Sequence, residues 1–536
     1  MTLTGEPHVH GRTEPWSTHD VTNQPPPLDG FDPLSCDPAL REAVSRYAPT
    51  ALPDLRELAL ESGSAEAREH GRLANDNPPE LRTHDRYGNR VDEVEFHPSW
   101  HWLMNRAVRH GLHAAPWRPD AEPGAHARRA AGFYLWSQAE AGHGCPISMT
   151  FAAVPALRHS PELASQYEPG LSSPDYDFGL RPAAAKTGLL AGMSMTEKQG
   201  GSDVRANTST AEPLADGTYR ITGHKWFTSA PMNDLFLTLA QTPDGLSCLL
   251  VPRVLPDGSR NEIRLQRLKD KLGNKSNASA ELEYTGALGH LVGEAGRGVR
   301  CIIEMVSMTR LDCVLGAAAN MRVALSEAAH HVQHRSAFGE RLADAPLMRT
   351  VLADLALETE AATALAMRLA LPAAKFHVCK RAATAVAEAL ECLGGNGYVE
   401  ESGLPRLYRE APLMSIWEGS GNVTSLDVLR ALHKQPASAE ALLGELDAAA
   451  GADRRYDNSV RQLREEIAAP RPERARKLAE LLALTLQASL LIRHAPTAVS
   501  EAFVATRLVP DTGRSFGTIP DGLAATALLE RVTPGR

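Results

Sequence analysis

Gly192-Met-Ser-Met-Thr-Glu-Lys-Gln-Gly-Gly-Ser-Asp-Val204 decides the reading of this chain, together with His224-Lys-Trp-Phe-Thr-Ser-Ala230 beyond a hairpin. An apolar run ends at Met195. Thr196 and Ser202 supply hydroxyls, and Gly200-Gly201 lets a backbone come close to a ligand. Such a loop leaves amide N–H groups free to meet an anion. Lys225-Trp226 then brings a large flat ring. Hydroxyls, a glycine pair and an aromatic platform suit a flat cofactor with a diphosphate. Taken alone, the stretch is better read as an ordinary Gly-rich turn followed by a buried Trp, because Gly-rich motifs are common.

Around it the texture is that of strands. Asp216-Gly217 and Asp244-Gly245 are hairpin turn signals. They separate apolar or alternating runs at Val204–Ala211, Tyr219–Thr222, Leu235–Gln241 and Leu246–Val251, and Ile263–Leu268 and Ala278–Tyr284 follow. A β domain over 192–292 is expected. Gly293-Glu-Ala-Gly-Arg-Gly298 closes it without the glycine order or the strand-then-helix context of a dinucleotide fold. No Gly-x-Ser-x-Gly elbow occurs, which argues against a serine hydrolase.

The flanks are helical. Residues 1–36, with Gln24-Pro-Pro-Pro27, read as an extended arm. From Asp37 to 191, Val44, Tyr47, Leu52, Leu55, Leu58 and Leu60 keep helical spacing. Asn75-Asp-Asn-Pro-Pro79 breaks it, and a polar insert with Tyr87-Gly-Asn89 precedes helices at Pro98–Met104 and Ala125–Ala141. His97 and His101 are four apart but lack an acidic partner, and His330, His331 and His334 spread over helix faces, so no metal site is expected. The 293–434 region reads as a helical bundle: Val299–Arg335, Leu347–Leu371 with Pro346 at its start, Ala373–Leu393, and a helix to Lys434. The 435–536 tail is Ala/Leu-rich with clustered arginines.

A chain of 536 residues exceeds one core, so several domains are needed. With 43% hydrophobic and 23% charged residues it is an ordinary globular composition. Its net charge of −9 gives no global attraction to nucleic acid, so such binding needs a local patch. The seven cysteines (36, 145, 248, 301, 313, 379, 392) are odd in number and contain no Cys-x-x-Cys, which implies free thiols in a reducing compartment. No signal pattern or membrane-length apolar run is present, so a cytoplasmic protein is expected.

Three separated stretches then agree. Met195–Asp203 resembles the first signature of the acyl-CoA dehydrogenase family. Glu391-Cys-Leu-Gly-Gly-Asn-Gly-Tyr398, followed by Glu401, Arg406 and Glu410, resembles the second, and Arg335-x-x-Phe338-Gly339 resembles a third element. Gly71-Arg-Leu-Ala74, Asn77-Pro-Pro-Glu80, Leu268-Lys-Asp-Lys-Leu-Gly273 and Ile416-Trp-Glu-Gly-Ser-Gly421 are similar to the AidB-like branch, the bacterial relatives linked to the alkylation response. The resemblance implies an α+β, mostly α fold: an N-terminal helical domain, a central β domain, a helical bundle and an extra C-terminal helical domain. Two departures stand out. The branch's longer, charged hairpin is reduced to Arg368-Leu-Ala-Leu-Pro372, which shortens both helices. Ala345 and Pro346 stand where the family carries a Gln.

The resemblance also implies the chemistry, FAD-dependent α,β-dehydrogenation of an acyl thioester with Glu418 as the base. The alternative base position on the long helix is Thr309, which cannot serve. Met193, Thr196, Gly201 and Ser202 would line the flavin and diphosphate, and Trp226, Phe227, Thr228 and Ser229 would pack on the ring. Ile416, Trp417, Gly419, Ser420 and Asn422 would close the far side. Arg335, Phe338, Gly394 and Gly395 would reach the cofactor of a neighbouring subunit, which implies a homotetramer. The branch is also associated with duplex DNA through the tail, here Arg461, Arg464, Arg471, Arg474, Arg476 and Lys477, interleaved with Glu465, Glu466, Glu473 and Glu480. Two functions follow as expectations. One is a DNA-binding flavoprotein that protects against alkylation or acts on an alkylating small molecule. The other is a metabolic dehydrogenase of short or branched acyl-CoA.

Overall fold

Asp37 starts the first helix: its carboxylate accepts the Leu40 N–H at 3.0 Å, and Pro38 occupies the first helical position. The computed structural model describes residues 18–368, 372–509, 513–520 and 523–532. The N-terminal region comprises α1 (Pro38–Tyr47), α2 (Leu52–Ser62), α3 (Ala65–Asp76), strands β1 (Glu80–His84) and β2 (Arg90–Glu95), then α4 (Pro98–Arg109), α5 (Ala125–Trp136), α6 (Gly144–Leu157) and α7 (Pro161–Leu171). The polar insert is therefore a β-hairpin. Asp85 closes its turn by accepting the Tyr87 and Asn89 N–H groups at 2.8 and 2.9 Å. It lies on the β domain, where Arg90 bonds the Leu265 carbonyl at 2.7 Å.

The β domain holds β3 (Ala191–Ser194), β4 (Thr210–Pro213), β5 (Tyr219–Ser229), β6 (Leu235–Thr242), β7 (Gly245–Pro252), β8 (Ile263–Leu268) and β9 (Ser279–Val292). They form one seven-stranded sheet in which β6 also pairs with β7, curling the sheet back on itself. Both Asp-Gly turns fall where expected, between β4 and β5 and between β6 and β7. The strand expected at Val204–Ala211 is shorter: residues Val204–Ala206 form a 3-10 turn and β4 begins at Thr210. The cause is Glu197, whose carboxylate takes the Thr208 and Ser209 N–H groups at 2.7 and 3.2 Å and removes them from the sheet.

The bundle comprises α8 (Gly298–His334), α9 (Pro346–Met367), α10 (Ala373–Glu391), α11 (Leu404–Glu410) and α12 (Gly421–Lys434). The helix expected to reach Leu371 ends at Met367, and the rest of the short Arg368–Pro372 connection, 369–371, lies outside the described residues. A buried ion pair of Arg129 with Asp312 ties α5 to α8. The tail adds α13 (Pro436–Asp447), α14 (Arg454–Ala468), α15 (Ala475–His494), α16 (Thr497–Arg507) and α17 (Ala525–Leu529). It shares a core with the bundle: Tyr456, Leu491, Val499 and Phe503 pack with Ala353, Leu357 and Ala361 of α9. Arg507 pairs with Asp354 and Glu358 across the same seam.

All seven cysteines are free, and among the described residues no His/Cys/Asp/Glu group suits a metal and no helix is long and apolar enough to cross a membrane. His97 caps α4 and His101 bonds the Tyr176 hydroxyl at 2.8 Å. The arm's described part, from 18, lies on its own chain: Leu28 is buried and Pro26 accepts a hydrogen bond from His330 at 2.8 Å.

Candidate active site

The opening motif folds as a strand leaving a pinned loop. Parallel pairing of β3 with β6 sets Met193 opposite Leu237 and Ser194 opposite Thr238. Beyond it, the Thr196 carbonyl accepts the Trp226 N–H at 2.7 Å. Glu197 and Lys225 form an ion pair at 2.9 Å with both side chains 0% exposed, and Lys225 also bonds the Leu239 carbonyl at 2.8 Å. Burial pushes the Glu197 carboxyl up, but Lys225 and the loop's hydrogen bonds outweigh it and hold it at about 2. At Gly201 a Cβ would lie 2.4 Å from the Thr196 hydroxyl, so only glycine leaves this turn intact. The root of the loop is rigid, while Gly201 and Ser202 face outward.

On β5 the residues alternate. Trp226 is half-buried and Phe227 exposed, and Lys269 lies 3.2 Å over the Trp226 ring. The Thr228 hydroxyl is spent inside the sheet on Ser194. Ser229 turns toward Cys145 and Ser279, and Lys271 bonds the Ser279 hydroxyl at 3.2 Å.

The bundle supplies the other wall. Glu418 and Gly419 are consecutive left-handed residues, with φ of 56° and 104°. For Glu418 that backbone is strained. Two cations hold it. Lys375 on α10 bonds the Met414 carbonyl at 2.5 Å and approaches the Gly419 carbonyl at 3.4 Å. Arg310 on α8 donates to the Glu418 carbonyl at 2.8 Å and pairs with Asp427 at 2.7 Å. Burial raises the Glu418 carboxyl, with the Thr309 hydroxyl, Arg310 and Lys375 pulling it back. A raised carboxyl is a stronger base. Ser229 hydrogen-bonds the buried Cys145 thiol and Glu418 acts on it by its charge, so Cys145 on α6 marks where the two walls meet. Trp417 packs against both cores, and its Nε1 is buried without a partner among the described residues. Ile416, Ser420 and Asn422 are exposed.

Arg335, Phe338, Gly394 and Gly395 are not in this group. They lie beside the arm, with Phe338 and Gly395 fully open to solvent. Arg335 follows Arg310 by 25 residues at the end of α8, about 37 Å along the helix. The tail cations separate too. Arg464 pairs with Asp447 at 2.6 Å, Arg474 pairs with Glu466, and Arg461 bonds Asn458 at 2.9 Å. Arg476 lies 5.6 Å over the Phe376 ring, toward α12. Arg471 and Lys477 are exposed and unpaired among the described residues.

The sequence reading gave no role to Arg310, Lys375, Lys271 or the Glu197–Lys225 pair. Two signals were available: charged residues inside apolar motifs, and a lysine in the otherwise buried start of α10. The residues fit a flat cofactor with a diphosphate. An indole N–H is unspent between the two walls, and glycines leave the pinned loop and the Gly394-Gly395 surface open.

Comparison with known proteins agrees along the chain. Residues 23–178 match the Adaptive response protein AidB N-terminal domain, 192–287 the acyl-CoA dehydrogenase middle domain and 296–433 its C-terminal domain. AidB of Escherichia coli (strain K12) is 48% identical over 508 residues, covering 91% of this chain and 94% of that protein. Acyl-CoA dehydrogenase family member 11 of Caenorhabditis elegans is 33% identical, covering 74% of this chain and 70% of that protein. The solved structure of Caenorhabditis elegans ACDH-11 in complex with C11-CoA superposes with a TM-score of 0.78 at 27% identity, covering 99% of this chain and 95% of that one. The chain belongs to the acyl-CoA dehydrogenase family, on its AidB side, and is an FAD-dependent oxidoreductase of the acyl-CoA dehydrogenase type.

Proposed function

We propose that this protein is an AidB-like flavoprotein that binds duplex DNA, protects it from alkylation damage and keeps a weak acyl-CoA dehydrogenase activity. The catalytic half rests on the Glu418 loop. FAD, when bound, would supply the acceptor for the hydride that leaves the β carbon of an acyl thioester. Glu418 takes the α proton, and burial gives its carboxylate the basicity to do so. Arg310 and Lys375 hold the loop by its carbonyls, so the base cannot swing away from the substrate carbon. Trp417 and Ile416 close one side. Met193, Thr196, Gly201 and Ser202 bind the flavin and diphosphate, and Trp226, Phe227, Thr228 and Ser229 back the ring. Gly419, Ser420 and Asn422 complete the site. An acyl-CoA ligand is supported by the relative crystallised with C11-CoA.

Arg335, Phe338, Gly394 and Gly395 serve the cofactor of a second copy. Their distance from Arg310 along α8 supports this, and the assembly is a homotetramer in the cytoplasm. For DNA, the support is the likeness to AidB along nearly the whole chain and the tail's exposed cations. Arg461, Arg464, Arg471 and Lys477 make phosphate contacts, while Arg474 and Arg476 shape the domain around them. Binding is then tolerant of sequence and steeply salt-dependent.

The strapped, half-buried base also favours a second reading, a metabolic dehydrogenase of short or branched acyl-CoA. One experiment separates them: flavin reduction by a series of acyl-CoAs, with and without duplex DNA, alongside DNA affinity over a salt series. Glu418→Gln should keep FAD and reduce it about 10²–10⁴-fold more slowly. A mutant as fast as the parent removes Glu418 as base. Absence of DNA binding at low salt removes the first reading and leaves the second. Cutting the chain after Lys434 would bare Ala353, Leu357 and Ala361, so charge substitutions are the better probe of the tail.

A further inference from the structure

The arm's described residues make a directed contact. Asn23 is in the left-handed region at φ 58°, a conformation that asparagine tolerates better than most residues. From there its carboxamide pairs with one residue's main chain in both directions: Nδ2 donates to the Ser336 carbonyl at 2.8 Å, and Oδ1 accepts the Ser336 N–H at 2.7 Å. The Asn23 carbonyl accepts from the Arg335 Nη1 at 2.6 Å. Gln24, the next residue, accepts through Oε1 from the Asn396 Nδ2 at 3.2 Å. Two consecutive arm residues thus join the Arg335–Phe338 and Gly394–Asn396 segments, which no other hydrogen bond among the described residues links.

Arg335 has no carboxylate partner among the described residues, and burial followed by the Arg335 charge pushes the nearby His331 ring down to about 4. Its Nη1 is fixed on a neutral carbonyl, so the remaining donors of the fork and the full charge stay available to an anion. Solvent-exposed hydrogen bonds contribute little to folding. Four of them, two on the Ser336 main chain, one on the Arg335 guanidinium and one on the glycine turn, are better explained by orientation than by stability. Ala345 and Pro346 carry no side-chain amide, and Gln24 brings one to this surface.

We propose that Asn23 and Gln24 belong to the surface that takes the adenosine diphosphate end of FAD. Asn23 is a positioning residue that aims Arg335, and Gln24 supplies a further amide beside Asn396. This rests on the reading above that Arg335 meets a second copy's cofactor.

The test is the FAD dissociation constant of the reconstituted full-length protein. It is measured for Arg335→Ala, Asn23→Ala, Asn23→Gly and Gln24→Ala, and for Asn23→Ala combined with Arg335→Ala. Arg335→Ala and both Asn23 variants should each weaken FAD binding about tenfold, and the double variant no more than Arg335→Ala alone. Gln24→Ala should weaken it less. Thermal unfolding of the FAD-free protein should not move, which a merely structural role would change. If Arg335→Ala weakens FAD binding but the Asn23 and Gln24 variants do not, the arm is no part of the site. If Arg335→Ala has no effect, the reading of Arg335 fails and the inference with it.

Discussion

Lys225 in the β domain and Arg464 in the tail each sit on a carboxylate, at 2.9 and 2.6 Å, yet they use charge in opposite ways. Lys225 and Glu197 are wholly withdrawn from water, and each spends its remaining capacity on the surrounding main chain. Such a pair fixes the shape of one loop, and neither member is free to do anything else. Arg464 and Asp447 are 44% and 56% exposed. Water and salt screen that pair, and it opens at almost no cost. A paired arginine in the tail is therefore still an arginine available to a polyanion, whereas a paired lysine in the β domain is structure.

The largest test of that contrast is Lys225→Met. It leaves the Glu197 carboxylate buried with no counter-charge and should lower unfolding free energy by about 3–5 kcal/mol in denaturant titration. Joining it to Glu197→Gln should recover part of the loss, since no charge is then stranded. Equal losses in the single and double variants would mean the two residues do not act as a pair.

An intermediate effect is expected at the seam. Arg507 is 15% exposed, against 4% for Asp354 and 6% for Glu358. Arg507→Met should cost about 2–3 kcal/mol and open the tail to limited proteolysis before the bundle. The seam is also acid-sensitive. Burial pushes Glu358 up, but Arg507 and Arg381 outweigh it and hold the carboxyl at about 2 against an ordinary 4.5. Its contribution is whole above about pH 4.5 and is lost as pH falls toward 2. Tail release at neutral pH, with none on acidification, would contradict this.

The smallest effect on folding should come from Arg464→Ala, below about 1 kcal/mol. Its readout is DNA: the salt dependence of binding should flatten by about one phosphate contact. Asp447→Ala should tighten binding instead. If Arg464→Ala destabilises the protein as much as Lys225→Met does, the contrast between the two regions collapses.

The same contrast explains what was legible in the sequence. The Asp-Gly turns, the long α8 and the motif loops are local signals, and each lies where the residues indicate. The β1–β2 hairpin was not legible as strands, because it has few apolar residues and is held from outside, through Arg90 and through Arg260 on the Val91 carbonyl at 2.9 Å. Helix α6 is apolar on every face and buried almost throughout, so it has no periodicity to read. Glu197 and Lys225 were in view within quoted motifs, but 28 residues separate them and only the folded sheet makes them partners. Likewise Glu418 was found by its motif, while the cations that strap its loop come from α8 and α10. In the tail, spacing gathered six cations on paper, and the fold assigns several to other partners.

Helix α8 behaves as a graduated rod. Over 37 residues, about 55 Å, it meets the N-terminal region at Asp312, the base loop at Arg310 and the arm at His330. Inserting a single residue near Ala319 would turn everything beyond it by about 100° while leaving Arg310 and Asp312 in place. The base would keep its setting, and the arm would lose its address. One length of hydrogen-bonded backbone thus keeps two sites about 30 Å apart in fixed phase.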